Sequence, residues 1–73
     1  MDEFTVEIDG YLAEDIIADN AKDAAWEYCL SDQIYDQLIK NRRDEDVTVL
    51  DEDEDVTVFR VEIFGDGIRI TEL

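Results

Sequence analysis

The sequence predicts a single α+β domain spanning residues 1–73, in which one helical segment packs on one face of an antiparallel sheet in the order β-β-α-β-β-β. Three observations lead to this fold class. Apolar residues alternate with polar ones near both ends of the chain, they recur with a helical period in the middle, and 73 residues allow one small domain. Because 45 % of the residues are hydrophobic, we expect a folded chain despite its charge.

The first two strands are predicted close to the N-terminus. Residues 4–9 alternate apolar and polar side chains, as in a strand with one buried face. Gly10 and Tyr11 interrupt this pattern, and the apolar stretch at residues 12–18 then returns as an antiparallel partner.

The helical segment follows the second strand. Asn20 is a typical helix N-cap, and Asp23 occupies the acidic position of a capping box three residues later. Apolar residues then recur near the 3.6-residue period as far as Ile39. Asp32 would fall within that apolar face in an unbroken helix, so we expect either a kink or two short helices meeting near Ser31 and Asp32.

The last thirty residues predict a meander of three strands. Residues 46–49 and 55–58 are near copies with the sequence Asp-Val-Thr-Val, and the acidic run 51–55 between them is typical of a hairpin loop. The second of these strands continues to residue 63. Gly65-Asp66-Gly67 predicts a turn, and residues 68–70 form the returning strand.

The charge of the chain limits its partners. It contains 22 Asp and Glu against 6 Lys and Arg, a net charge of −16. Nucleic acids and anionic lipids bind through clustered cations, so we expect a basic protein partner and no direct binding to nucleic acid or membrane. No signal peptide or membrane span is predicted, and the single Cys29 cannot form an internal disulfide. These features favour a cytoplasmic protein.

Neither catalysis nor a cofactor is expected. The chain has no His, which removes the usual general base at neutral pH and the Ser-His and Cys-His nucleophile pairs. A carboxylate pair could hydrolyse glycosides only in a cleft that holds the two groups at a fixed separation, and a domain of this size has little room for one. Cys29 is interpreted as a small buried apolar side chain.

A weak calcium-binding segment from Asp51 to Glu62 is an alternative. Asp51, Asp53, Asp55 and Glu62 occupy positions 1, 3, 5 and 12 of the EF-hand pattern. Position 6 is Val56 where that loop requires Gly, and the flanking residues predict strands instead of helices. No residue is therefore assigned as a metal ligand.

The acids are spread through the whole domain. Residues 1–36 hold 11 acids and one base, and residues 37–73 hold 11 acids and five bases. Acids four residues apart on a helix form a row about 6 Å apart, which approximates a row of backbone phosphates. A net charge of −16 exceeds the magnitude of about 2–8 that keeps a small domain soluble, and the excess destabilises the fold by repulsion. We interpret the excess as a binding surface, with adaptation to high salt as an alternative.

The predicted binding residues are acids of the helical segment and of two loops, together with one aromatic anchor. They are Asp23, Glu27, Asp32, Asp36, Asp44, Glu45, Asp46, Asp51, Glu52, Asp53, Glu54, Asp55 and Trp26. Trp26 is predicted opposite the apolar helix face, in line with Leu30 and Ile34. There it either anchors a partner, packs on a second layer or forms a homodimer seam.

Short, cytosolic, strongly acidic α+β chains of this kind resemble the DNA-mimic inhibitors of phages and mobile elements, which include anti-CRISPR proteins, anti-restriction proteins and the uracil-DNA glycosylase inhibitor. Residues 16–26, from strand into helix, are also similar to a pattern common in small phage-encoded proteins. The resemblance implies inhibition by occupancy of the basic groove of a nucleic-acid-binding protein such as a CRISPR effector or restriction enzyme. It assigns no role to individual residues. The alternative is a phage accessory or structural protein that binds through an apolar helix face.

Overall fold

Five antiparallel strands and two helices form the fold in the computed structural model, which describes residues 1–65 and 67–73. The elements in chain order are β1 (Asp2–Ile8), β2 (Glu14–Ala18), α1 (Ala21–Leu30), α2 (Asp32–Asn41), β3 (Glu45–Leu50), β4 (Val56–Phe64) and β5 (Gly67–Glu72). The sheet order is β2-β1-β3-β4-β5. The predicted α+β class, with helices on one face of an antiparallel sheet, is confirmed. In the described part of the chain, no helix is long and apolar enough to cross a membrane.

The predicted order with one helical segment is wrong, because the segment is two helices and the order is β-β-α-α-β-β-β. Ser31 separates them with extended backbone angles, φ −64° and ψ 144°, which corresponds to the second of the two arrangements expected near Ser31. The Ser31 hydroxyl donates to the Tyr28 carbonyl oxygen at 2.8 Å and satisfies one of the last carbonyls of α1. The break places Asp32 in the first turn of α2, where a carboxylate is favourable.

The predicted helix start at Asn20 is confirmed. The Asn20 side-chain oxygen accepts from the Asp23 backbone N–H at 2.8 Å, and the Asn20 amide donates to the Asp23 carboxylate at 3.5 Å. The first bond satisfies one of the backbone N–H groups that a bare helix end leaves unpaired, which fixes where the chain turns from β2 into α1.

All five predicted strands are present, with ends shifted by one or two residues. The acidic run 51–55 joins β3 to β4 as an antiparallel hairpin, as predicted. The predicted turn Gly65-Asp66-Gly67 includes Asp66, which lies outside the described residues. Gly65 has φ +49°, in the left-handed region that favours glycine.

The core lies between the two helices and one face of the sheet. Alternation along β1 buries Phe4, Val6 and Ile8, and the equivalent positions of β3 and β4 bury four more large side chains, Val47, Val49, Phe59 and Val61. The helices contribute Ala24, Ala25, Tyr28 and Cys29 from α1 and Ile34 and Leu38 from α2. The predicted line of Trp26, Leu30 and Ile34 is therefore wrong, because Ile34 is a core residue of the second helix.

Tyr28 and Cys29 show how strongly this core excludes water. The Tyr28 hydroxyl donates to the Leu12 carbonyl oxygen at 2.6 Å, and burial raises the pKa of Tyr28 to about 12. Burial likewise raises the pKa of the Cys29 thiol to about 12. Cys29 is thus a protonated, buried side chain, as predicted.

Candidate functional site

The predicted binding residues lie in four separate places in the fold. Trp26, Asp23 and Glu27 are on α1, Asp32 and Asp36 are on α2, and the two acidic runs lie at opposite ends of β3. Because β3 has six residues, the runs are about 20 Å apart. The structure therefore does not bring the predicted residues into one array.

The acids of the two helices do not form a single row. Asp23 and Glu27 are exposed on α1, and Asp32 and Asp36 are exposed on α2. The extended backbone at Ser31 interrupts the helical hydrogen bonding between the two pairs. The spacing of about 6 Å thus holds within each pair and not across the break.

One end of the sheet gathers acids from three segments of the chain. A groove of about 380 Å³ lies there, which we call the acidic groove, and it is lined by Asp2, Phe4, Asp19, Asn20, Ala21, Asp51, Glu52 and Asp53. Antiparallel pairing explains the convergence. Asp2 at the start of β1 pairs with Ala18 at the end of β2, so Asp19 follows beside it. On the other side of β1, β3 stops near the same end of β1. The sequence analysis did not single out Asp2 and Asp19, which only the strand register brings beside residues 51–53.

Backbone hydrogen bonds define the shape of the loop at residues 51–55. One carboxylate oxygen of Asp51 accepts from the backbone N–H groups of Asp53 and Asp55, both at 2.9 Å. The Glu52 carboxylate accepts from the Glu3 backbone N–H at 3.1 Å and ties the loop to β1. The loop therefore presents its remaining acids from a fixed frame.

The side chains of Asp53, Glu54 and Asp55 are the free acids of this loop. All three residues are exposed, and within residues 1–65 and 67–73 their carboxylates take part in no hydrogen bond or ion pair. Asp51 differs, since its carboxylate is half-buried and used within the loop.

The acids at residues 44–46, predicted to bind a partner, take part in contacts within the fold. The Asp44 carboxylate accepts from the Ile63 backbone N–H at 3.4 Å. Glu45 pairs with Arg43 at 3.2 Å, and only 15 % of its side chain is exposed. Asp46 pairs with Arg60 at 2.7 Å, and this hydrogen bond raises the pKa of the Arg60 guanidinium.

Trp26 is 41 % exposed and lies between two grooves. One groove, of about 180 Å³, is lined by Met1, Ile17, Ala18, Asp19, Asp23, Trp26 and Glu27. Asp19 also lines the acidic groove, so the two depressions adjoin. The other groove, of about 400 Å³, is lined by Lys22, Asp23, Trp26, Ile68, Arg69 and Ile70. Its two cations would repel a basic partner, so we assign Trp26 to the acidic side.

The EF-hand spacing at Asp51–Glu62 does not produce a common ligand set. Glu62 lies on β4 opposite Arg69, and seven residues of extended chain separate it from Asp55 by about 20 Å. In the described residues, no group of three or more acidic or Cys side chains is placed to hold a metal ion.

Comparisons of the chain with protein-family models, with curated proteins and with solved structures find no match. The acidic groove and the adjoining Trp26 surface are therefore interpreted from their own geometry and charge.

Proposed function

We propose that this protein mimics nucleic acid and inhibits a nucleic-acid-binding protein, such as a CRISPR effector or restriction enzyme, by occupying its basic groove. The acidic groove is the observation that supports this most. Five acidic residues, Asp2, Asp19, Asp51, Glu52 and Asp53, line one depression, and hydrogen bonds hold the loop that supplies three of them.

Few of the chain's acids are neutralised internally. Within residues 1–65 and 67–73 there are two ion pairs, Arg43–Glu45 and Arg60–Asp46, and both lie away from the acidic groove. The N-terminus of α1, capped at Asn20, adds a positive partial charge that stabilises Asp19 and Asp23. Most carboxylates are thus compensated only by solvent ions, which a basic protein can replace.

The partner's side chains would engage this surface in two ways. Lys and Arg residues that normally contact phosphate would bind the groove carboxylates, with two parallel hydrogen bonds where Arg is present. Trp26 lies beside Asp19, Asp23 and Glu27 and offers an apolar face that can also stack against a guanidinium. Opposite charges would accelerate the encounter, and Trp26 would slow dissociation.

A second candidate function is that of an accessory protein that docks through apolar residues of α1. Trp26 and Leu30 favour it, since they are 41 % and 46 % exposed. Ile34 contributes nothing to such a surface because it is 2 % exposed. Salt distinguishes the two functions, because an apolar contact persists as salt rises whereas contacts between exposed charges weaken.

The experiment is capture of a partner from bacterial lysate at low salt, followed by a salt ramp and by competition with duplex DNA. The groove variant D19N/D53N is compared with D9N/E14Q, which removes the same charge at the opposite end of β1 and β2. We expect duplex DNA to displace the partner, the groove variant to lose it, and the control variant to retain it.

Two outcomes would contradict the proposal. If both variants lose the partner equally, binding depends on the total charge of the protein and not on the groove. The acids would then be interpreted as a solubilising charge or as an adaptation to high salt. If the partner resists both salt and DNA, the contact is apolar and the accessory function is favoured.

A further inference from the structure

The strand β5 has one long side without a partner. It is the last strand in the sheet order β2-β1-β3-β4-β5, so among residues 1–65 and 67–73 it pairs with β4 alone. Leu73 follows β5, and its backbone N–H donates to the Val58 carbonyl oxygen of β4 at 3.0 Å. Hydrogen-bonded and non-hydrogen-bonded positions alternate along an antiparallel pair. Every second residue of β5, counted back from Leu73, therefore turns its backbone N–H and C=O groups towards β4.

The remaining residues of β5, which are Ile68, Ile70 and Glu72, turn these backbone groups away from the sheet. Their donors and acceptors repeat at every second residue, which is the spacing that another β-strand matches. Proteins usually protect such an edge with proline, with a bulge or with a charge that points inward. This chain has no proline, and the inward side chains of Ile68 and Ile70 are apolar. The edge of β5 can therefore accept another strand.

A groove of about 400 Å³, which we call the edge groove, runs beside β5. Consecutive residues of a strand point to opposite faces, so a groove that touches all three of residues 68–70 lies along the edge of the strand. Its other wall is α1, where Trp26 is 41 % exposed and where Lys22 and Asp23 carry opposite charges. The hydrogen-bonding edge and the groove thus form one continuous surface.

The edge groove determines which side chains an added strand needs on the helix side of the sheet. Ile70 belongs to the core, and Ile68 packs against it. Residues directly opposite each other in two paired strands project from the same face. The residues opposite Ile68 and Ile70 would therefore enter the edge groove beside Trp26. Apolar side chains suit both positions, because two isoleucines and an indole ring form the walls.

The existing partner of β5 shows which charges match this strand. β4 presents the sequence Val-Glu-Ile of residues 61–63 to the Ile-Arg-Ile of residues 68–70. The Arg69 guanidinium nevertheless lies 4.4 Å from the centre of the Phe64 ring, and among residues 1–65 and 67–73 it takes part in no ion pair. An acid opposite Arg69 on the unpaired side would complete the same pattern. Glu72 is exposed, and it suits a Lys or Arg opposite it.

We infer that β5 binds an extended segment of a partner protein, which joins the sheet as a further antiparallel strand. The segment has a Lys or Arg opposite Glu72, an acid opposite Arg69, and apolar residues opposite Ile70 and Ile68. Backbone hydrogen bonds supply the affinity, and the alternate side chains supply the specificity. Because the two charges of the segment cancel, its binding does not depend on the net charge of −16.

A second copy of this chain does not offer such a segment. Its two Val-Glu-Ile sequences, at residues 6–8 and 61–63, lie in β1 and β4, which are paired on both sides. The outer strands β2 and β5 contain no acid between two apolar residues. The edge groove and the acidic groove share no lining residue, so the inference does not rest on the proposed function.

The test is amide hydrogen exchange of the full chain, measured by NMR with and without the acetylated and amidated peptide Ser-Lys-Thr-Val-Glu-Ile-Ser. At about 2 mM peptide, the amides of Ile68, Ile70 and Glu72 should exchange about fivefold more slowly, which corresponds to a dissociation constant of about 0.5 mM. The amides of Arg69 and Thr71 already face β4 and should not change.

Two methylated peptides separate strand addition from contacts of side chains alone. N-methylation of Val and Ile removes the backbone donors that would face β5, whereas N-methylation of Thr and Glu removes donors that would face away from it. Charge and side chains are the same in both peptides. The first should bind at least about tenfold more weakly than the parent peptide, and the second within about threefold of it.

Exchange of Lys and Glu in the peptide tests the charge pattern at constant composition. In the wild type this exchange places Glu against Glu72 and Lys against Arg69, and it should weaken binding about fivefold. The variant R69E/E72K keeps the net charge of −16, since it exchanges one positive and one negative charge. Both residues are exposed, so we expect the variant to fold. It should prefer the exchanged peptide.

Several outcomes would overturn the inference. These are unchanged exchange of Ile68, Ile70 and Glu72 at about 2 mM peptide, equal affinity of the two methylated peptides, and no reversal of preference in R69E/E72K. Slower exchange of the same three amides at higher protein concentration without peptide would assign the edge to a second copy and would overturn it too. D19N/D53N should bind the peptide as the wild type does, which separates this inference from the proposed function.

Discussion

Two acidic runs of this chain, residues 44–46 and residues 51–55, lie at opposite ends of β3 and differ in how their carboxylates are used. In the first run, Asp44 accepts a backbone hydrogen bond, and Glu45 and Asp46 pair with arginines. In the second run, Asp51 and Glu52 accept backbone hydrogen bonds, while the other three carboxylates have no partner among residues 1–65 and 67–73.

The difference arises from neighbours in space and not from composition. Arg43 precedes the first run along the chain, and the register of β3 with β4 places Arg60 opposite Asp46. The second run lies at the end of the sheet where the residues beside it include Asp2 of β1 and Asp19 of the β2–α1 connection. Two runs of similar sequence therefore differ in structure. The acids of residues 44–46 make contacts within the fold, whereas most acids of residues 51–55 are exposed to solvent.

The largest expected effect comes from neutralising each run separately. D53N/E54Q/D55N and D44N/E45Q/D46N both change the net charge from −16 to −13. The first variant should bind a captured basic partner about 30-fold more weakly, which corresponds to about 2 kcal/mol, and the second should bind nearly as the wild type does. Isothermal titration calorimetry measures the affinities.

The melting temperatures of the same two variants test whether each run of acids stabilises or destabilises the fold. Removing free acids relieves repulsion, so D53N/E54Q/D55N should melt at or above the wild type. D44N/E45Q/D46N loses its ion pairs and should melt lower than the first variant. Equal affinities and equal melting temperatures would remove the distinction between the two runs.

Asp51→Ala should show the second largest effect, on stability. Its carboxylate accepts two backbone hydrogen bonds at 2.9 Å, and their loss should lower the free energy of unfolding by about 1.5 kcal/mol. Asp51→Asn keeps an acceptor oxygen at the same place and should lose less than half of that. Urea denaturation measures both. If Asp51→Ala leaves the free energy of unfolding unchanged, the shape of the loop does not depend on this carboxylate.

The ion pair between Arg60 and Asp46 should contribute less to stability, and measuring it tests directly whether Asp46 is used within the fold. A double-mutant cycle with Arg60→Gln and Asp46→Asn should give a coupling energy of about 0.5 kcal/mol, because both side chains are partly exposed. A coupling energy of zero would mean that Asp46 is as available as the free acids of the other run.

The smallest expected effect is on the melting temperature, from substitutions at Glu54. Its φ is +67°, a left-handed conformation that costs free energy for Glu and less for Asn. Glu54→Asn should therefore raise the melting temperature slightly above that of Glu54→Gln, which removes the same charge without easing the backbone. Identical melting temperatures would argue that the conformation of this loop relaxes freely.

Much of the fold could be predicted from local patterns. Period-two alternation predicted the strands, and the Asn20–Asp23 pair predicted the start of α1. The separation of α1 from α2 was left between two arrangements, since Ser31 and Asp32 are compatible with a kink or a break. The extended backbone angles of Ser31 show that α1 ends there, and the hydrogen bond from its hydroxyl to Tyr28 supports that end.

The candidate site could be predicted only in part, because it depends on pairing across the sheet. Trp26 and the run 51–55 were identified from residue type and charge. The participation of Asp2 and Asp19, and the internal use of Glu45 and Asp46, follow from strand register and from the sheet order. The number of charges in the sequence does not show which acids line the groove or which acids pair with arginines.

The chain contains a single tryptophan, and Trp26 is half-exposed beside Asp19, Asp23 and Glu27. Its intrinsic fluorescence therefore arises from one place, where the indole ring meets both water and carboxylates. Emission wavelength and quenching by added iodide or caesium ions would report the local field at that spot without any attached dye. The fluorescence of Trp26 therefore reports the binding of a partner to the acidic side of the protein.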